Sequence, residues 1–139
     1  MIRAVLDTNT LASGAVASVG APAQIIDAWL EGAFEVIISA YIFEELARTL
    51  AKPYFVRRLT PGAASAFLDL VRSLAAPIAI TTPVSGVAPD PADDEVLGTA
   101  LSGSAEYLVT GDRKLRELGA YQGVQIVSPR EFLEILAAG

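Results

Sequence analysis

Five short apolar runs recur along the chain, at residues 2–6 (Ile-Arg-Ala-Val-Leu), 35–38, 78–81, 107–110 and 124–127. Each is four or five residues long, which suits a strand better than a helix. The runs are apolar without alternation, so both faces of the sheet they form should be covered. Between them the pattern changes to helical spacing. Residues 10–19 are small and helix-tolerant, and Gly20 with Pro22 interrupts them. Ile25, Ile26, Trp29 and Leu30 mark one helix over 23–32, with Gly32 as its C-cap. Ser39 caps a helix through Leu50, and Pro53 stops it. Thr60-Pro61 opens another through about Leu74. A loop with three prolines covers 82–92, and Asp93 then starts a helix to about Ser102. Gly111-Asp112 turns into a short helix over 113–119, and Ser128-Pro129-Arg130-Glu131 opens the last one. Strand alternating with helix throughout predicts a single three-layer α/β/α domain over 1–139 with a mostly parallel central sheet.

Composition narrows the chemistry. The chain has 139 residues, 53% of them hydrophobic and 19% charged, which excludes a disordered chain and suits one ordinary domain. Polar residues break the apolar stretches too often for a membrane span. Asp7 interrupts the amino-terminal apolar run, so no signal-peptide core is expected. There is no cysteine and no histidine. That removes disulfides, thiolate nucleophiles, Cys-ligated zinc, Ser-His-Asp triads and imidazole acid–base pairs. An enzyme with this composition must use carboxylates, Lys/Arg, hydroxyls or a metal held by oxygen. The lack of cysteine fits a cytoplasmic location. The net charge of −6 counts against a nucleic-acid partner.

Function in open parallel sheets sits at the carboxyl ends of the strands. Asp7 directly follows the run 2–6, and Asp112 lies two residues after 107–110. Asp93 opens its helix at the same edge. Taken singly, each reads equally well as a turn or capping residue. Helix geometry discriminates among the neighbouring acids. Val96, Leu97, Ala100 and Leu101 define a buried stripe, and at about 100° per residue Asp93 falls within it. Asp94 falls at its margin and Glu95 on the far side, so both are expected to be solvated first-turn acids, with Asp94 the alternative site acid. Asp90 reads as a turn residue. On 40–50, Ile42, Phe43, Leu46 and Leu50 form the apolar stripe. Glu44 lies opposite, where it should pair with Arg48 at i,i+4. Glu45 lies closer to the stripe and is the site acid of the two. Asp7, Glu45, Asp93 and Asp112 then form one cluster. Such carboxylates repel one another and persist most easily around hard divalent cations, Mg²⁺ or Mn²⁺, which take oxygen ligands.

These segments resemble the PIN-domain family over almost the whole chain. Val5-Leu6-Asp7-Thr8-Asn9 is similar to that family's first-strand motif. Residues 38–50 (ISAYIFEELARTL) resemble its second motif, with Glu45 as the acid before Leu. Residues 90–101 (DPADDEVLGTAL) resemble the third, where alignment on Ala100-Leu101 selects Asp93, and 107–115 (YLVTGDRKL) the fourth. The resemblance implies a Mg²⁺- or Mn²⁺-dependent ribonuclease, with metal-activated water attacking an RNA phosphodiester in line. Asp7, Asp93 and Asp112 would be ligands, direct or through water, and Glu45 would complete the site or orient water. Asn9 and Thr110 would hydrogen-bond behind those ligands, unless they only bond their own turns. Small members of this kind are often VapC-like toxins, homodimers held inactive by a cognate antitoxin.

Seven of the ten basic residues fall in two segments: Arg48, Lys52, Arg57 and Arg58, then Arg113, Lys114 and Arg116. Both flank proposed site acids, and Arg48, Lys52, Arg57, Arg58, Arg113 and Lys114 are the candidate RNA contacts, unless each belongs only to a solvated helix face. Tyr54 and Phe55 lie inside the first group, where a base could stack, unless both pack internally. A haloacid-dehalogenase-like phosphohydrolase with Asp7 as nucleophile is a rival reading, but it wants a second Asp where this chain has Asn9. A receiver-like domain lacks its acid after 78–81. A non-catalytic RNA- or protein-binding scaffold has no reason to crowd carboxylates. Assigning four charges to one pocket leaves −2 for the rest, so the acidic balance no longer excludes an RNA substrate.

Overall fold

The first strand, β1 (Arg3–Leu6), is the centre of the sheet and ends where Asp7 caps helix α1 (Thr8–Val16). The computed structural model describes residues 1–139. After α1 come α2 (Ala21–Leu30), β2 (Glu35–Ile38), α3 (Ala40–Leu50), α4 (Pro53–Val56) and α5 (Pro61–Leu74). The second half holds β3 (Ala76–Pro77), α6 (Pro91–Ser102), β4 (Tyr107–Val109), α7 (Arg113–Arg116), β5 (Ala120–Tyr121), β6 (Val124–Val127) and α8 (Pro129–Ala138). The sheet order is β3-β2-β1-β4-β6-β5, parallel except for β5 against β6. This is the single α/β domain expected, with a mostly parallel sheet.

The order places the functional edge. From β1 the chain moves outward to β2 and β3, then returns to β4 on the other side of β1. Right-handed crossovers put the helices of the outward half and α6 on opposite faces, and α8, after the last strand, returns to pack on α2. The reversal falls between β1 and β4, and a crevice opens at their carboxyl ends. Helix α1 packs against α2 and α3, and α2 against α8, while α6 lies against β1, β2 and β4. One cluster of 28 buried apolar residues fills the space, with Phe34 and Phe132 meeting edge to face at 4.9 Å.

Several boundaries differ from the sequence pattern. The third strand is not 78–81 but the two residues Ala76–Pro77. Its partner β2 ends at Ile38 because Ser39 caps α3, so only Ile78 N–H, donating to Ile38 O at 2.9 Å, extends the ladder. Thr81 and Thr82 instead donate their N–H groups to Ser102 Oγ, each at 3.0 Å. This chain lies so close over Gly98 that a Cβ there would meet Ile80 Cγ2 at 3.2 Å. Helix α6 starts at Pro91 rather than Asp93, with Asp90 as its N-cap. The helix expected over 113–119 ends at Arg116, and β5 follows. β5 and β6 join through Gln122-Gly123, both at positive φ (46° and 89°), the geometry of a type I′ hairpin turn. The Ser128 and Thr60 caps form as read, and Ser128 with Glu131 completes a capping box.

Candidate functional site

Asp7 enters the crevice because β1 ends there and its side chain must serve the first turn of α1. Its Oδ1 accepts from Thr10 N–H at 2.8 Å, and its Oδ2 accepts from the Thr110 hydroxyl at 2.5 Å. The carboxylate is buried, and burial pushes its pKa up, against the lowering pull of those hydrogen bonds. Thr110 follows β4 and is fully buried. Its oxygen donates to Asp7 and accepts from Asp112 N–H at 3.0 Å. One hydroxyl therefore ties the two strand ends together, which is more than local turn bonding. Asp112 caps α7, accepting from Lys114 N–H at 2.9 Å, and stays exposed at the mouth.

The opposite walls come from α3 and α6, which are fastened by the Thr99 hydroxyl donating to Ser39 Oγ at 2.8 Å. Together these elements enclose a polar cleft of about 190 Å³. Asp7, Glu45, Asp93 and Asp112 all line it, as do Thr8 and Asn9. Asp93 has its pKa raised to about 6, first by burial and then by the charges of Asp112, Asp90, Asp7 and Asp94. The carboxylates are gathered without being closed on one another: no three of them meet the geometry of a formed metal site. Glu45 is engaged by Arg48, whose guanidinium donates to its Oε2 at 2.6 Å.

The neighbouring acids behave differently from the sequence expectation. Asp94 is not a solvated first-turn acid. It is buried, and its two oxygens accept from the N–H groups of Gly86, Val87 and Ala88 at 2.9, 3.3 and 2.7 Å. It thereby holds the loop before α6 and does not line the cleft. Arg48 pairs with Glu45 at i,i+3, not with Glu44 at i,i+4; both spacings place residues on one helix face, and Glu45 is on the side nearer the other acids. Asp90 is no mere turn residue: it lines the cleft as a fifth carboxylate while its Oδ1 caps Ala92 N–H at 2.9 Å. The signal was present, since Asp90-Pro91 repeats the cap-then-proline pattern of Thr60-Pro61 and Ser128-Pro129. Tyr41 and Thr49 also line the cleft and were missed. They flank Glu45 at i−4 and i+4, so helical spacing alone could have found them.

Of the basic residues, Lys52 lines the cleft. Arg113 and Lys114 are exposed on α7 beside Asp112. Arg57 and Arg58 are exposed just after α4, outside the cleft lining. The Arg58 guanidinium lies 3.5 Å from the centroid of the Tyr54 ring and donates to Tyr54 O at 2.7 Å. That face of Tyr54 is thus taken by Arg58 rather than open to a base. Phe55 packs partly buried against the core.

Fold and site define an α/β domain with a carboxylate-lined crevice at the switch point of its sheet. The chain belongs to the PIN domain family, whose sequence model matches residues 3–114. Membership of that family sets aside the dehalogenase-like and receiver-like readings. Solved structures share the fold. A chain of VapBC2 from Rickettsia felis, bound to a DNA fragment from their promoter, superposes with a TM-score of 0.63 at 14% identity, covering 91% of this chain and 98% of that one. PAE2754 from Pyrobaculum aerophilum gives 0.61 at 20% identity, covering 99% and 91%. FitAcB from Neisseria gonorrhoeae gives 0.55 at 16% identity, covering 91% and 98%. No curated protein sequence matches. No helix is long and apolar enough to cross a membrane.

Proposed function

We propose that the chain is a ribonuclease that hydrolyses RNA phosphodiester bonds with Mg²⁺ or Mn²⁺. In the same reading it is the toxin of a toxin–antitoxin pair, a cytoplasmic homodimer silenced by its cognate antitoxin. The observation that carries the nuclease reading is the convergence of Asp7, Glu45, Asp90, Asp93 and Asp112 on one cleft, where burial first and the neighbouring aspartates second raise Asp93 to about 6. The donor set fits a hard cation: every donor is an oxygen, and the sequence holds no His or Cys to favour a softer one. Asp7, Asp93 and Asp112 would hold the ion, with Glu45 and Asp90 beside them. When bound, such an ion supplies charge neutralisation at the phosphate and a lowered pKa for the attacking water.

The chain's own residues do the rest. Thr10 and Thr110 fix both oxygens of Asp7, so its orientation is set before substrate arrives. Thr110 holds Asp112 to the same frame through its backbone. Lys52, Arg113 and Lys114 offer cations to the phosphates on either side of the acids. The likeness to a chain of VapBC2 supports the toxin part of the reading, as does the resemblance to VapC-like sequences. The deciding experiment is cleavage of RNA with Mg²⁺, with Mn²⁺ and with EDTA, beside Asp7→Asn. Metal-dependent cleavage lost in the variant is expected. A wild-type chain that cuts no RNA, or cuts equally in EDTA, refutes the reading and leaves the binding scaffold in its place.

A further inference from the structure

Helix α3 presents one row of side chains to the cleft: Tyr41, Glu45 and Thr49, spaced by four, and Lys52 just beyond the helix end. At 1.5 Å per residue, Tyr41 to Thr49 spans about 12 Å. The row therefore puts an aromatic at one end, an acid in the middle and a cation at the other end. The polar group at each end is free of partners, although the Tyr41 ring is partly buried and packs against the core. The Tyr41 hydroxyl takes part in no hydrogen bond within the chain, and Lys52 joins none of its four ion pairs although acids surround the cleft. This differs from the Tyr54–Arg58 pair, where the chain itself occupies the ring. Tyr41 is the one aromatic ring in the cleft lining, and it is partly buried there. Burial and the charges of Glu45 and Glu95 push its hydroxyl pKa up, so the ring stays neutral beside the acids.

A row of this composition matches a nucleic-acid strand in kind. Aromatic faces stack unpaired bases of any identity, and a lysine meets a phosphate as a point charge. A base can stack on a tyrosine only once it has left its own helix, so the matching ligand is single-stranded. We propose that the α3 wall is a track for single-stranded RNA, with Tyr41 stacking a base on one side of the scissile phosphate and Lys52 holding a phosphate on the other. Tyr41 then binds the substrate and sets the scissile phosphate against the acids of the cleft, without taking part in the chemistry. This rests on the nuclease reading for its scissile phosphate, but its binding component stands alone.

The test reads binding and cleavage separately on the full chain. Binding is followed by anisotropy of a short dye-labelled oligouridylate, with Ca²⁺ present to balance the acidic cleft. Tyr41→Ala is expected to weaken binding about tenfold and Tyr41→Phe to hold it within about threefold, because the stacking ring is kept. Lys52→Ala is expected to reduce the slope of log affinity against log salt by about 0.7, the loss of one phosphate contact on a single strand. In cleavage assays Tyr41→Ala should raise KM by about the same tenfold while kcat stays within about twofold. Melting temperatures check that each variant folds. No binding by the wild type, equal binding by Tyr41→Ala, or an equal fall in Tyr41→Phe and Tyr41→Ala each overturn the proposal. So does a Tyr41→Ala chain that binds RNA normally and loses only a protein partner. A wild type that binds through this row but cuts nothing refutes the nuclease reading and leaves the track intact.

Discussion

Replacing Asp93 by Asn should stabilise the metal-free protein at neutral pH. The carboxylate accepts no hydrogen bond, so the isosteric amide removes its charge and breaks no contact. Its pKa rises from 3.8 to about 6, so the folded state holds a proton that the unfolded chain has already released between those values. Stability contributed by this group is therefore greatest below about pH 4, falls as pH rises to about 6, and stays at a constant penalty above that. Taken at face value the shift corresponds to about 3 kcal/mol. Asp93 is partly exposed, and solvent screening reduces this to about 1 kcal/mol. For a domain of this size that is a melting-temperature gain of about 3 °C. The assay is thermal melting by circular dichroism in EDTA, from pH 4 to pH 8, on wild type and variant. The gain should be present at pH 7.5 and vanish at pH 4. A gain equal at both pH values, or a loss at pH 7.5, refutes the account of Asp93 as a carboxylate raised by burial and by its neighbouring acids. Addition of Mn²⁺ should reverse the order, because the wild type alone keeps the full set of acids for the ion to bind.

The residue next door should respond in the opposite sense. Asp94→Ala leaves the N–H groups of Gly86, Val87 and Ala88 without their acceptor, at a cost of about 2–3 kcal/mol in urea unfolding, with faster amide exchange confined first to that loop. Unchanged stability would mean that water replaces the carboxylate without loss. Thr110→Val removes the donor to Asp7 and the acceptor for Asp112 N–H, and should cost about 1–3 kcal/mol. Because the Thr110 hydrogen bond lowers the Asp7 pKa, the loss should be larger at pH 8 than at pH 4; a pH-independent loss would assign it to packing alone.

Local physics makes much of the fold readable in the sequence. The runs containing β1, β2, β4 and β6 are apolar because both faces are covered, and each needs only local sequence to be recognised. Asp7 and Asp112 were readable only together: each alone is equally a helix cap, which both also are, and their recurrence after buried strands at one sheet edge singles them out. β3 was not readable at its observed position, because its extent is set by where β2 stops, which is information from another segment. β5 exists only as the partner of β6, and its two residues carry no periodicity of their own. Asp94 failed for a related reason. Helix angles placed it at the stripe margin, but its burial comes from the 86–88 backbone, which folds back over the helix and is invisible to a helical wheel. The Glu44–Arg48 pairing failed because i,i+3 and i,i+4 are near-equal neighbours on a helix, so spacing alone does not choose between Glu44 and Glu45.

Asp93 and Asp94 show how one dipeptide divides stability from function. Asp94 is buried more deeply, yet its charge is met by three backbone donors. Asp93 is the more exposed, yet no donor meets it, and four other acids act on it. Burial alone would rank them the wrong way round as site residues. The discriminating quantity is whether a carboxylate's lone pairs are already used within the chain. By that measure Asp94 is spent, while Asp93 keeps its lone pairs unused within the chain, as the proposed metal site needs. Asp7 is intermediate, with one protein donor on each oxygen and its remaining lone pairs left over, as a ligand held in a fixed orientation requires. The fold bears the repulsion of five carboxylates because Thr10, Thr110 and the loop before α6 hold the surrounding backbone in place. The same repulsion leaves the cleft disposed to take up positive charge from outside.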